Sequence, residues 1–573
     1  MRPLDRLVVV VALAVLVGLG LTLAAPASQH ALATPTPSPA PVPTVAPLRL
    51  VREGIVGTVR SVDPLYATTP AERDISALVA CGLTRLGPDD SILPDLASSW
   101  DVADAGATYT FRLRSDARWH DGRLVTADDV IFTILAIRDP AYDGPFRGRW
   151  DRIVVEKVDR STVRFRLARP LAGFLPLTIQ PLIPEHILGP IPASERRTHR
   201  LALMPVGCGP FRLGTPAEEG FEVLRVDGAA SPTLRPWDAL GTFPEPTPSP
   251  ADLHRPLVPG FRFTLYAEEP SLERAFADGR LDTAAGLSPA AVARLIALGD
   301  AREIRYPTPV LRALMPNLRF DRPTFQDPRV RRALLLAVDR ATLLRDLLGG
   351  VGTVAESLVT PASPVYDAGA AGRVPFEPDQ ASRGLVAAGW VPGPTGWLEP
   401  GRDTPEPLTL LGVDDPDRPD LRRMGERIVA SWRAIGFRAE LELLPAAELF
   451  ERRLRPGAFD LALLDLDLGL DPDLFPLLAS SQAQAGGSNL AGYQSAEMDR
   501  LLMAARQPAD PETRRQRFAA LQRLLAQQLP ILPIAFAEWS YVVRDVLVGP
   551  APRLVPSGSE RWWNVLAWRF AGN

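Results

Sequence analysis

The stretch from Leu408 to Asp467 limits the architecture more than any other part of the chain. Leu408 to Gly412 reads as a strand, and Leu421 to Ile435 then carries Leu421, Met424, Ile428 and Ile435 on one helical face, with Gly436 as its stop. Arg438 to Leu443 alternates as a second strand. A strand, a helix ended by glycine and another strand form a βαβ unit, so this region is expected to contain parallel strands. Phe459 to Asp467, FDLALLDLD, is an apolar strand of the kind buried on both faces. Whatever follows such a strand stands at its carboxyl end, where ligand crevices form in α/β sheets.

A different pattern occupies Ser91 to Val130. Tyr109, Phe111 and Leu113 alternate with Thr110, Arg112 and Arg114, the period of a strand with one buried face. HDGR, from His120, supplies a tight turn, and Thr126 is placed as the N-cap of a helix with Asp128 and Asp129 in its first turn. That helix is expected to turn Val130, Ile131, Ile134 and Leu135 inward. Ile153 to Val158 and the alternating Val163, Phe165 and Leu167 add strands, so a small, mostly antiparallel lobe is predicted.

The order P-x-LA-x-SW, D-x-G-x-x-YTF-x-LR, W-HDG and TADDV, running from Pro94 through Trp100, Gly106, Tyr109, Phe111 and His120 to Val130, resembles the signature of family 5 extracellular solute-binding proteins of ABC importers. NLRFDRPTFQDPRVRRALLLAVDR, with Asn317, Pro323, Asp327 and Arg331, resembles the second signature of that family, and Tyr493 to Phe536 its closing segment. The resemblance implies an α/β, two-lobed, periplasmic-binding-protein-like fold of type II, with the extra lobe of the peptide-binding class, mixed sheets and a hinge. It implies a first lobe from 49–84, 204–308 and 531–573, a small additional lobe at 85–203, and a second lobe at 309–530. The implied function is capture of a small organic solute, peptide-like or other, between the lobes for delivery to ABC permease and ATPase subunits. A surface sensor feeding a membrane signalling protein, and a secreted hydrolase, are the alternatives.

Leu7 to Ala25 is an apolar run preceded by Arg2 and Arg6 and reads as an export signal. Its length suits a cleaved signal, with residues 1–33 removed, or an uncleaved membrane anchor, and the sequence leaves both open. No cysteine stands directly after the run, so the lipid-anchor pattern is absent. TPTPSPAPVPTVAP, within 34–48, favours extended polyproline conformation and reads as a stalk. The remaining chain is expected to be extracytoplasmic and monomeric, periplasmic or at the cell surface. Net charge is −4, with acidic and basic residues mixed, which argues against nucleic acid as a partner. The five histidines are scattered, and H-E-x-x-H, G-x-S-x-G and P-loop patterns are absent, so no enzyme, metal or cofactor is expected.

The resemblance also bears on the ligand. Peptide-binding relatives typically carry D-x-x-[DE]-P-x-x-F, whose first aspartate takes an α-ammonium group. Asp471, Pro472 and Phe475 match the later part, but Leu468 stands at the first position and Asp467 lies one residue away. A displacement of one residue on a strand reverses the side chain's face, so a free-amine peptide is a poor fit and a sugar, an opine or a capped molecule stays open. Asp467, Leu468, Asp471 and Phe475, together with Asn317 and the Cys208-Gly209 loop, are the candidate ligand-binding residues. Cys81 falls where the family usually has glutamate and Cys208 where it usually has threonine, which suggests a disulfide in an exported chain. Two unrelated buried thiols are the alternative, and a bridge needs Cα atoms within about 7 Å.

Overall fold

The computed structural model describes residues 49–87, 91–171, 173–214, 220–226, 256–416, 418–508, 510–556 and 558–572. The apolar run Leu7 to Ala25, the proline-rich stretch after it and most of the loop expected from Trp237 to Pro259 lie outside these residues.

The βαβ unit forms where the pattern places it. Strand Leu408–Val413, helix Pro419–Ala434 and strand Ala439–Leu444 follow one another, and the strands pair in parallel from Leu408 opposite Ala439 to Val413 opposite Leu444. The helix buries Met424, Ile428 and Trp432 completely. Gly436 ends the connection with φ +97°, a left-handed conformation that a Cβ would strain. Strand Leu461–Asp467 lies between Leu408–Val413, parallel to it, and Ala301–Pro316, antiparallel to it. Its residues Leu461 to Leu464 are therefore buried on both faces, as an unbroken apolar run requires.

Two long antiparallel strands, Ala301–Pro316 and Leu532–Arg544, run through the middle of an eleven-stranded mixed sheet. Ala301 to Pro307 pair with Arg544 to Glu538, and pairing resumes with Leu311 opposite Phe536 after a register shift. Pro307 and Pro309 fall at this shift, where a residue without an N–H cannot donate to the ladder. Packing divides at the same point. Ile304, Tyr306 and Tyr541 join a core with Val51, Phe261 and Trp568, whereas Leu311, Leu314 and Phe536 join one with Leu410, Met424 and Leu521. The molecule is thus two-lobed, and the lobes are joined through a two-strand ribbon.

A separate antiparallel sheet of four strands orders Ala97–Ala103, Thr108–Leu113, Thr162–Leu167 and Ile153–Asp159 side by side. Tyr109, Phe111, Val163 and Phe165 are buried on its inner face. Helix Ala127–Arg138 covers that face and starts with the capping pair Thr126 and Asp129, in which the Thr126 N–H donates to Asp129 Oδ2 at 2.8 Å. The expected inward face needs one correction. Val130, Thr133, Ile134 and Ile137 are buried, but Ile131 is only partly so and Leu135 is 53 % exposed. At about 3.6 residues per turn, a residue five positions after Val130 lies on another side of the helix. No helix among the described residues is long and apolar enough to cross a membrane.

Candidate functional site

A cleft of about 990 Å³ lies between the two lobes and the small sheet. One wall is built from helix Pro70–Val79, the C-terminal segment Gly558–Ala567 and residues of the small lobe; the facing wall is the loop after strand Leu461–Asp467 with Leu502, Arg506 and Phe518.

The first wall is held from behind by a buried charge cluster. Arg561 is fully buried and donates to both oxygens of Asp74, at 2.6 and 2.8 Å, and to Glu53 at 2.8 Å. Tyr541 Oη and Thr283 Oγ1 donate to the same Glu53 carboxylate, and the guanidinium lies 3.9 Å from the Trp562 ring centroid. Burial pushes the Glu53 carboxyl up, and the Arg561 charge opposes that shift. A charge this deep is tolerable only when paired, so the cluster fixes three distant segments together: strand Val51–Val56, helix Pro70–Val79 and the C-terminal turn. Trp562 and Trp563, which follow Arg561 directly, line the cleft.

The entry of the chain into the small lobe is equally tight. Cys81 and Cys208 are bridged, with Cα atoms 5.4 Å apart. The Cys208 and Gly209 N–H groups both donate to the Val79 carbonyl, at 3.1 and 2.8 Å. A Cβ at Gly207 would come within 2.0 Å of that carbonyl oxygen, so only glycine permits the approach. The resulting loop also receives His120, whose Nε2 lies 3.0 Å from the Gly209 carbonyl; burial lowers the pKa of this imidazole.

On the facing wall the acidic side chains already have partners. Asp467 Oδ1 accepts the Gly469 N–H at 2.9 Å, and its charge attracts Arg149 across the cleft. Asp471 is ion-paired with Arg514. Asp473 is paired with Arg506 at 3.2 Å; burial raises its pKa and Arg506 counters the rise. Arg506 also lies 4.4 Å from the Phe475 ring centroid. The loop leaves its strand beside the ribbon, where the Leu468 N–H donates to the Pro309 carbonyl at 3.2 Å.

Of the candidate residues taken from the sequence, Asp467, Asp471 and Gly209 line the cleft, as does Cys81. Leu468 and Phe475 are partly buried against the second-lobe core, Cys208 is fully buried behind its bridge, and none of the three is part of the cleft lining. Asn317 is also outside it, fully buried, its Nδ2 donating to the Gly457 and Phe459 carbonyls at 2.9 and 2.8 Å.

Two cleft residues escaped the sequence reading. Asp95, in the P-x-LA motif, is 7 % exposed and accepts the Gly82 N–H on Oδ2 at 3.3 Å, while its Oδ1 has no hydrogen-bond partner among the described residues. Burial pushes this carboxyl up to about 6, opposed by Arg85. Gln180 is 4 % exposed, and neither Oε1 nor Nε2 has such a partner. No local pattern could have singled them out, because a lone aspartate in a motif and a lone glutamine in a proline-rich turn are ordinary surface residues in sequence.

Known proteins fit this geometry. Residues 91–487 match the model for bacterial extracellular solute-binding proteins, family 5. Di/tripeptide-binding protein 3 of Pseudomonas aeruginosa is 25% identical over 531 residues, covering 87% of this chain and 92% of that one. The structure of HbpA2 from Haemophilus parasuis superposes with a TM-score of 0.76 at 21% identity, over 91% of this chain and 100% of the other. AgaA from A. tumefacien R10, in complex with agropinic acid, does so with a TM-score of 0.64 at 19% identity, over 92% and 99%. The family match spans well over half of the chain, from the small lobe into the second, and this protein therefore belongs to the family 5 bacterial extracellular solute-binding proteins.

Proposed function

We propose that this chain captures a small organic solute in the cleft between its lobes, outside the cytoplasm, and hands it to the permease of an ABC importer whose ATPase subunits supply the energy. The cleft carries this reading, because its walls come from both lobes and the small sheet, and the lobes are joined by a ribbon of two paired strands. Rotation about such a ribbon opens and closes the walls, and a solute that contacts all of them favours the closed state.

The division into a first lobe of 49–84, 204–308 and 531–573, a small lobe of 85–203 and a second lobe of 309–530 belongs to the same proposal. The register shift near Pro307 to Leu311 and Glu538 to Phe536 supports it. Export through Leu7 to Ala25, with the proline-rich stretch as spacer, completes the reading, the segment being either cleaved or retained as an anchor. A relative named for di- and tripeptides and a fold neighbour in complex with agropinic acid support a small organic solute.

Native mass spectrometry of the purified chain, followed by calorimetric titration with peptides, capped peptides, sugars and opines, tests it. One saturable, stoichiometric solute left chemically intact is the expected result. Turnover of a solute, or a chain that binds none of them and carries no copurified molecule, would refute it.

A further inference from the structure

Asp95 and Gln180, two of the cleft residues with unpartnered polar atoms, are both tied to one backbone segment. Gly82 donates its N–H to Asp95 Oδ2, and on its other side it is pressed so closely against the Ile179 carbonyl that a Cβ would lie 2.7 Å from that oxygen. Gln180 follows Ile179 directly. The segment is fixed further by N–H donation from Leu96 to the Gly82 carbonyl at 3.1 Å and from Leu182 to the Cys81 carbonyl at 3.0 Å. Thr84 and Thr178 share a hydroxyl hydrogen bond at 2.7 Å. Asp95 and Gln180 are thus held on a rigid, disulfide-linked base.

A buried acceptor and a buried amide without partners are costly unless something supplies the missing bonds. Asp95 Oδ1 requires a donor, and Gln180 offers a donor and an acceptor. Arg85 and Arg114 already offset the Asp95 charge, so a matching group need not be cationic. The carboxylates of the facing wall, by contrast, are engaged by Gly469, Arg514 and Arg506.

We propose that Asp95 and Gln180 form the polar subsite of this cleft and that it takes an uncharged carboxamide of the solute, whose N–H donates to Asp95 Oδ1 and whose remaining polar atom is met by the Gln180 amide. This rests on the reading of the cleft as a solute site and narrows it to amide-bearing, charge-capped molecules.

The test is calorimetric titration of the full chain with N-acetyl-dialanine amide, free dialanine and mannitol, in wild type and in the variants Asp95→Asn and Gln180→Leu. The capped amide is expected to bind most tightly. Asp95→Asn should weaken it about tenfold or more, as loss of a charge-assisted hydrogen bond does. Gln180→Leu should weaken it about fivefold. Asp95→Asn keeps the shape of the side chain and removes a buried charge, so circular dichroism should show a folded protein.

Capped-amide binding unchanged within about twofold in both Asp95→Asn and Gln180→Leu would overturn the subsite while leaving the solute-binding reading intact. Preference of the wild type for mannitol would overturn the carboxamide assignment, and preference for free dialanine, which keeps a peptide amide, would overturn its restriction to charge-capped molecules. Absence of binding by all three probes, with no copurified molecule in native mass spectrometry, would overturn the functional reading and the subsite with it.

Discussion

The two walls of the cleft treat their side-chain acceptors in opposite ways. On the second-lobe wall each carboxylate is matched: Asp471 by Arg514, Asp473 by Arg506 and Asp467 by a backbone N–H. On the first wall, Asp95 and Gln180 keep atoms without a partner among the described residues, on a base made rigid by a disulfide and by the Arg561 cluster. Saturated polar groups hold a surface in shape, whereas unsaturated ones on a rigid base are prepared for something else to bind. The contrast teaches that a motif-bearing loop and a recognition surface need not coincide.

The heaviest blow to this contrast comes from the support of the first wall. Arg561→Met leaves Glu53 and Asp74 buried without their cation, and a loss of about 3–5 kcal/mol in unfolding free energy is expected by chemical denaturation. An unchanged midpoint would mean that the wall does not depend on the cluster. Replacing both Cys81 and Cys208 by alanine opens a link across 127 residues of sequence, and a cost of about 2–5 kcal/mol is expected from the same measurement. A smaller effect would put the rigidity in the glycine-mediated contacts of Gly207 and Gly209 instead.

Asp95 supplies the sharpest test because its sign runs the other way. Burial raises its pKa to about 6, so the folded state binds more protons than the unfolded state between that value and the ordinary aspartate range. The stability tied to this proton is fully present below about pH 4 and is lost as pH rises to about 6. Asp63, also buried and pushed up to about 6, contributes in the same direction. Asp95→Asn should therefore raise unfolding free energy above pH 6 by about 2–3 kcal/mol and flatten its pH dependence by one ionisation, read from melts across pH 4 to 7. Unaltered pH dependence would show that the carboxyl is better solvated than its place suggests.

The mildest effects belong to the facing wall. Asp471→Asn breaks a partly buried pair with Arg514 and should cost about 1 kcal/mol. Asp467→Asn, exposed at the strand end, should change stability by less than about 0.5 kcal/mol. A larger loss at Asp467 than at Asp471 in the same melts would reverse the ranking of the two acids.

Much of the fold was legible because it is written in local periods. Met424 and Ile428 sit at helical spacing before Gly436, and Tyr109, Phe111 and Leu113 alternate; each set is buried on the side its period demands. Leu135 shows the limit of such reading, since apolar character alone put it inside and helix geometry puts it outside. The site was legible only in part. Asp467 and Asp471 do reach the cleft, but Asn317, matched to a motif, is spent on two backbone carbonyls.

Residues close together in the chain decide strands, helices, caps and the family signatures, and these the sequence determined by itself. Which polar atoms go without a partner was decided by tertiary structure alone. Asp95 and Gln180 are 85 positions apart and reach the same cleft because Asp95 accepts from Gly82, whose other close neighbour is the carbonyl of Ile179, the residue before Gln180. Hydrogen-bond satisfaction is a property of the assembled surroundings of a group, and no window of neighbouring residues contains it.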